Sequence, residues 1–322
     1  MTNSIETLAA PMPLVSVVIL NYKRRDALAR TLAAACAQDY PNYEIIVVDN
    51  NSQDGTPEFL QSEAPDVTLI ELPENRGACG GRNAGIRAAR GDIIITLDND
   101  IYFESPLEVA KTAAVFEARP DIHVLAFQLC DPETGRLRDR EWCHPKNWRD
   151  FAQTEFETNY FVEGACAVRR TVFDTCGGYY EPLYIGCEGY DLVLRIMDRG
   201  FRILYCPRIR LCHMMSQDTR TPERPYYFYT RNYIWIAYKD FPFFNGMKML
   251  VPKLLMMLLF TFRSNRYAAF LRGLRDGLAG LRLVGRHRTP ISTDTLRRYD
   301  ELDRCRPALW VRLARHRKQP QL

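Results

Sequence analysis

The run Val15-Ser16-Val17-Val18-Ile19-Leu20 decides the class of fold. It is β-branched and nearly unbroken, with no regular alternation of polar positions. A strand with water on one face alternates, whereas a strand covered on both faces does not. The run therefore reads as a strand of a parallel sheet buried on both sides. Moving outward, Asp26 to Cys36 reads as a helix, with Asp26 as its cap and Leu28, Leu32 and Ala35 on one face. A second strand, Glu44 to Val48, ends at Asp49-Asn50-Asn51-Ser52. Helix Thr56 to Ala64, strand Val67 to Leu72, helix Gly81 to Ala89 and strand Asp92 to Leu97 continue the alternation. Strand and helix in turn, with short connections, predict an α/β fold: a doubly wound, mostly parallel sheet with right-handed crossovers. Ligands of such sheets sit beyond the carboxyl ends of the strands.

From about Asp121 the pattern becomes mixed. His123 to Leu129, Phe161 to Val168 and Phe201 to Tyr205 read as strands, and Tyr190 to Arg199 as a helix. The 322 residues and 37.3 kDa allow one large domain or two smaller ones. With 47% hydrophobic and 25% charged residues, disorder, collagen and coiled coil are excluded. The net charge of +4 hides an asymmetry. Residues 263–322 hold 15 Lys and Arg against 5 Asp and Glu, a net of +10, which leaves −6 for the first 262. An acidic body with a basic tail calls for an anionic partner for the tail, or else for a solvated helical face. Ten cysteines show no CxxC pair and no zinc-like cluster. They read as reduced, mostly buried thiols of a cytosolic protein. Met1 to Pro13 has no basic segment followed by an apolar one, so no signal peptide is expected.

Two strand ends carry acids: Asp49, and the pair Asp98 and Asp100. Asp and Asn are ordinary turn residues. Yet two carboxylates at i and i+2 after a strand can converge on one hard cation, Mg²⁺ or Mn²⁺, which takes its remaining oxygens from phosphate and water. Just upstream lies Asn75-Arg76-Gly77-Ala78-Cys79-Gly80-Gly81-Arg82-Asn83-Ala84-Gly85-Ile86. Its glycines allow backbone to approach a ligand before a helix begins. A dinucleotide fingerprint would follow the first strand, where Asn21-Tyr22-Lys23-Arg24-Arg25 stands instead, and this argues against a dehydrogenase.

Taken in order, Val15 to Tyr22, Val47-Val48-Asp49-Asn50-Asn51-Ser52-Gln53-Asp54-Gly55, Asn75 to Ile86 and Leu97-Asp98-Asn99-Asp100 resemble family 2 glycosyltransferases of the GT-A fold, a bacterial rhamnosyltransferase-like branch among them. The resemblance runs over roughly the first 215 residues. It implies donor binding by Asn21, Tyr22, Asp49, Arg82 and Asp98, with Asp49 on the nucleobase. It implies a divalent cation, Mg²⁺ or Mn²⁺, on Asp98 and Asp100, with His213 completing its shell. Glu163-Gly164 resembles the segment lining the acceptor side, the glycine permitting close approach of a sugar. Glu188-Gly189-Tyr190-Asp191-Leu192, followed by Arg195, resembles a family segment usually reading Glu-Asp-x-Asp-Leu-x-x-x-Arg. The Asp after the Glu is there often the base that deprotonates the acceptor, and here that position is Gly189. Glu188 is then the first candidate for the base. Asp191 is the second, although its i,i+4 relation to Arg195 equally suits an ion pair.

The resemblance implies an inverting displacement that moves a sugar from a nucleotide-diphosphate donor to a hydroxyl of a glycan or lipid-linked acceptor. Two other readings compete. A sugar-1-phosphate nucleotidyltransferase also binds Mg²⁺ through Asp, but calls for a glycine-rich loop after the first strand, and Asn21 to Arg25 has no glycine. A non-catalytic nucleotide-binding scaffold is supported by Gly189 alone.

These motifs divide the chain into a catalytic domain, 1–220, and a helical, apolar and basic extension, 221–322. Phe241 to Phe262 is the most apolar stretch, but its uninterrupted part, Leu254 to Phe260, falls short of the roughly 18–20 residues that span a bilayer. Arginines follow at once. An apolar helix beside a basic one fits an element lying in an anionic membrane interface; a buried helix covering the domain is the rival. Nucleic acid ranks below both, because no recognised module surrounds the arginines. The expectation is a cytoplasmic protein held peripherally at the inner face of the cell membrane.

Overall fold

The structure is a computed structural model that describes residues 12–214 and 221–306. Its first half alternates as expected: β1 (Val15–Asn21), α1 (Arg25–Cys36), β2 (Tyr43–Asp49), α2 (Thr56–Glu63), β3 (Thr68–Glu71), α3 (Gly77–Ala88) and β4 (Ile93–Asp98). Then come β5 (Ile101–Phe103), α4 (Glu108–Ala118), β6 (Val124–Cys130), α5 (Trp148–Phe151), β7 (Phe156–Glu157), β8 (Ala165–Arg169), α6 (Arg170–Cys176), α7 (Glu188–Asp198) and β9 (Ile203–His213). Five helices follow: α8 (Arg224–Asp240), α9 (Phe243–Ser264), α10 (Tyr267–Ala279), α11 (Leu281–Gly285) and α12 (Thr293–Asp303).

The strands form one sheet in the order β3-β2-β1-β4-β8-β6-β9-β5, with β7 paired to β9. From β3 to β4 all pairs are parallel. β8 enters antiparallel to both β4 and β6, so the second half is mixed. Along β1 the side chains divide by parity. Val18 and Leu20 join a core with α3, α6, α7 and α8, whereas Val15, Val17 and Ile19 join a second core with α1, α2 and α4. Two-sided burial is thus the reason for the unbroken apolar run.

The strand expected from Phe161 begins only at Ala165, and three further local expectations change. Asp26 lies in the first turn of α1 rather than at its cap, and Asp54 Oδ2 instead accepts from Arg25 N at 3.2 Å. The glycine-rich segment is not a loop before a helix but the helix α3 itself, starting at Gly77. Asn75 Oδ1 accepts from Gly77 N (2.9 Å) and Asn50 Oδ1 from Arg76 N (2.9 Å), which satisfies the first free amides and draws the helix start upstream. The glycines let α3 press on the sheet: a Cβ at Gly81 would lie 2.4 Å from Leu20 Cδ1, and one at Gly85 2.3 Å from Val18 Cγ1. Finally, the strand expected over Phe201 to Tyr205 continues to His213 as β9, past an irregularity opposite Phe127 and Gln128.

The ten cysteines are free, five of them buried and two partly so. The first of the two cores continues through α7 into Ile234, Trp235 and Ile236 of α8, Leu250 of α9 and Val284 of α11. Expected to be too short to span a bilayer, the apolar stretch forms a continuous helix of 22 residues that passes through Pro252. At about 1.5 Å per residue this is ~33 Å, and α9 is long and apolar enough by length and composition to cross a membrane. The uninterrupted run between charges is shorter, but the helix carries Lys248 and Lys253 within it. Residues 307–322, which hold part of the basic tail, lie outside the described residues.

Candidate active site

Because β2, β1 and β4 are parallel neighbours, their carboxyl ends fall in one row, with Asn21 level with Asp49 and Leu20 level with Asp98. The order of strands, not their order in the chain, brings the acids together. Asn21 is fully buried and ties the row. Its Nδ2 reaches Asp49 Oδ1 (3.2 Å), Ser52 Oγ (3.1 Å) and Thr56 Oγ1 (3.0 Å), and its Oδ1 accepts from Asn99 Nδ2 at 2.7 Å. Asp49 also accepts from Ser52 N at 3.1 Å, so its carboxylate is fixed and nearly buried. Tyr22 stands half-buried beside this row, with Lys23 Nζ 5.4 Å from its ring.

Arg82, on α3, joins two sides of the cleft. Its Nη2 lies 2.6 Å from Asp98 Oδ1 and its Nη1 3.3 Å from Glu188 Oε1. Only 5% of its side chain is exposed, against 35% for Asp98. Burial opposes the guanidinium charge, but Asp98 and Glu188 outweigh it and hold Arg82 well above its ordinary range.

Asp100 faces Arg24, whose Nη1 lies 2.6 Å from its Oδ2, and His213, whose Nε2 lies 3.7 Å from its Oδ1. His213 Nδ1 in turn lies 2.8 Å from Glu141 Oε2. Burial pulls His213 down, yet the neighbouring Asp100 and Glu141 carboxylates prevail and lift it to about 9. Among the described residues no three His, Cys, Asp or Glu side chains converge as a set that could hold a metal. Of the expected set, Asp98 and Asp100 offer carboxylate oxygens, while His213 turns its Nε2 toward Asp100 and engages Glu141 through its Nδ1. Two carboxylates, one of them open to the cleft, suit a Mg²⁺ or Mn²⁺ ion whose remaining ligands are phosphate and water. Arg24 and Glu141 are neighbours of the site that no motif marks as site residues. Arg24 stands in the basic Lys23-Arg24-Arg25 run after the first strand, whereas Glu141 closes a single 3₁₀ turn, Asp139–Glu141, that carries no motif.

On the opposite wall, Glu163 precedes β8 and Glu188 opens α7. A Cβ at Gly164 would lie 2.3 Å from Asp98 Cγ, so the aspartate packs directly on this glycine. Gly164 O also accepts from Asp98 N at 3.2 Å. Glu163 Oε1 accepts from Gly189 N at 2.7 Å. Burial and the neighbouring charge of Glu188 push Glu163 up to about 7, with Arg82 opposing. Asp191 is fully buried, 2.5 Å from Arg195 Nη2 and 2.5 Å from Lys239 Nζ, and Lys239 also pairs with Asp240. Burial alone would raise Asp191, but these two cations hold it below the usual carboxylate range. Its carboxylate joins α7 to α8 instead of reaching into the cleft.

The sequence model described as glycosyl transferase family 2 matches residues 16–177. The O-antigen biosynthesis protein RfbC of Myxococcus xanthus is 28% identical over 259 residues, which are 72% of this chain and 20% of that protein. The chain thus spans about a fifth of that relative's length. Glycosyltransferase AglE of Haloferax volcanii is 36% identical over 231 residues, covering 68% of this chain and 70% of AglE. Among solved structures, the mannosyltransferase PcManGT of Pyrobaculum calidifontis, in complex with GDP-Man and Mn²⁺, superposes with a TM-score of 0.55 at 20% identity. That match covers 83% of this chain and 75% of the other and supports the same GT-A architecture. The family model covers half of the chain, and the strand-end motifs lie inside it, so the chain belongs to glycosyl transferase family 2.

Proposed function

We propose that the chain transfers a sugar, with inversion, from a nucleotide-diphosphate donor to a hydroxyl of a glycan or lipid-linked acceptor in the building of surface polysaccharide or glycolipid. The observation that carries this reading is the row of Asp49, Asn21 and Asp98 at neighbouring strand ends, bridged by Arg82 to Glu188 on the acceptor wall. Asp49, held by Asn21 and Ser52, is poised to accept hydrogen bonds from a nucleobase. Asn21 serves by positioning these loops. Tyr22 stands beside the same row. Arg82, Arg24 and the oxygens of Asp98 and Asp100 frame the place of the diphosphate. A Mg²⁺ or Mn²⁺ ion would be held there by Asp98 and Asp100 and would supply charge stabilisation for the leaving group. His213 positions Asp100 through its contact. The acceptor oxygen attacks the anomeric carbon from the side opposite the diphosphate, which inverts the centre. A carboxylate of the Glu163–Glu188 pair takes the acceptor proton. The part of RfbC in O-antigen biosynthesis and the GDP-Man and Mn²⁺ bound to PcManGT support the acceptor and donor classes.

The C-terminal helices support an anionic membrane as the working surface, at its cytoplasmic face. One side of α9 packs on α8, where a Cβ at Gly246 would lie 2.4 Å from Ala237 O. Its other side exposes Phe244, Met247, Val251, Leu255, Leu259 and Phe262. α8 is itself bound to the cleft, with Arg231 Nη2 2.7 Å from Leu183 O and Asn232 Nδ2 2.6 Å from Gly186 O. A spanning α9 would carry these polar groups into hydrocarbon, so α9 lies in the interface plane with its exposed side in the lipid. Release of nucleoside diphosphate from a panel of UDP-, GDP- and dTDP-sugars, with Mn²⁺ and a membrane extract as acceptor, tests the function. Release of pyrophosphate would replace it by the nucleotidyltransferase reading, and bound nucleotide without turnover by the scaffold reading.

A further inference from the structure

We infer that Glu163 is the base that removes the acceptor proton, its carboxylate occupying the volume that a side chain at position 189 would otherwise fill. The inference rests on the glycosyl-transfer reading and assigns a residue within it. Gly189 is the second residue of α7. A Cβ there would lie 2.2 Å from Glu163 Oε1, 2.7 Å from its Cδ and 3.0 Å from its Cγ. The Gly189 amide donates to the same Oε1 at 2.7 Å, so glycine and glutamate are fitted to one another. An acid at 189 and the present position of Glu163 exclude each other sterically.

The neighbouring carboxylates are committed. Glu188 has 7% of its side chain exposed and holds Arg82, which holds Asp98. Asp191 is locked between Arg195 and Lys239. Asp98 and Asp100 face Arg82 and Arg24. Glu163 makes no ion pair among the described residues and stays partly exposed. Its backbone is pinned beside Asp98, because Thr96 Oγ1 donates to Glu163 O at 2.6 Å. The carboxylate therefore stands at a fixed place on the acceptor wall. Its value of about 7 suits a base that must be deprotonated near neutral pH and still hold a proton briefly.

The step balances simply. As the acceptor O–H bond breaks, its proton passes to Glu163, and the oxygen's electron pair forms the new bond to the anomeric carbon. The anomeric C–O bond to the diphosphate breaks, and its electron pair leaves with the nucleoside diphosphate. Glu163 then returns the proton to water.

Glu163→Gln keeps an oxygen for the Gly189 amide and is the first variant to make. With the nucleotide sugar and membrane extract that give turnover in the wild type, kcat is expected to fall by about 10²–10⁴-fold. Affinity for the nucleoside diphosphate with Mn²⁺, measured by calorimetry, should stay within about twofold. Glu163→Ala removes all three atoms that crowd position 189, so a Glu163→Ala, Gly189→Asp double variant can place a carboxylate there. It should recover at least about tenfold in kcat over Glu163→Ala. Glu163→Gln turning over within threefold of wild type, or a double variant no faster than Glu163→Ala, overturns the inference. Absence of wild-type turnover would instead count against the glycosyl-transfer reading itself.

Discussion

Asp191 and Glu188 sit three residues apart on α7, and their surroundings divide their work. Asp191 neutralises Lys239 and Arg195 in a dry joint, where removing one charge leaves the others uncompensated. Asp191→Asn is therefore expected to cost about 3–5 kcal/mol in stability, read from urea unfolding; an unchanged midpoint would reject the structural role. Glu188 lies beside Glu163 and raises it, so Glu188→Gln should lower the proton affinity of Glu163. The rising limb of kcat/KM, expected near pH 7 in the wild type, should move to lower pH in that variant. Turnover should drop by well under the ~10²–10⁴-fold that loss of a base brings. A limb that stays in place would sever the link between the two glutamates.

Among the elements, α3 and α9 show how small residues and large ones set position. Gly85 holds α3 against Val18 and Val48, at 2.3 and 3.0 Å from a notional Cβ. Arg82 reaches both Asp98 and Glu188 because the helix lies this close. Gly85→Val should overpack the contact and cost about 1–3 kcal/mol or more, and displacement of α3 should weaken nucleotide binding at the same time. Binding and midpoint both at wild-type values would show that α3 has room to spare. For α9 the expectation is reversed. Leu255→Glu with Leu259→Glu alters two exposed positions, so stability should shift little, by about 0.5 kcal/mol per site. Flotation with phosphatidylglycerol vesicles should fall at least several-fold. Undiminished flotation would remove α9 from the membrane surface.

At the scale of the whole molecule, burial of His144 couples stability to acid. Its ring is packed among Trp142, Phe156, Tyr160 and Tyr205, with Nδ1 2.9 Å from Thr158 Oγ1. Burial, assisted by Arg306, pushes it down to about 3 from an ordinary value of 6.5. Between those values the unfolded chain binds a proton that the folded chain does not. The wild type should therefore lose stability relative to His144→Gln as pH falls from neutral to about 4. Parallel pH profiles for the two proteins in urea would contradict this. Arg306, just past α12, also ties that helix back to the segment before α5, with Nη1 2.9 Å from Cys143 O.

The sequence by itself determined the parallel half of the sheet and the acids at its carboxyl ends. Two-sided burial demands an unbroken apolar strand, and a turn after such a strand is the natural place for a carboxylate. Periodicity of this kind is local, so it can be read without coordinates. It could not show that Asp49, Asn21 and Asp98 share one row, since that depends on the strand order β2-β1-β4. Nor could it show that the glycines of α3 serve packing, that Glu141 captures His213, or that α9 runs unbroken through Pro252. Each of these is a contact between segments distant in the chain, or a helix stabilised by the neighbour it packs on. Gly189 is the sharpest case. Read alone it marks a missing acid; in the tertiary structure it is the space in which Glu163 stands.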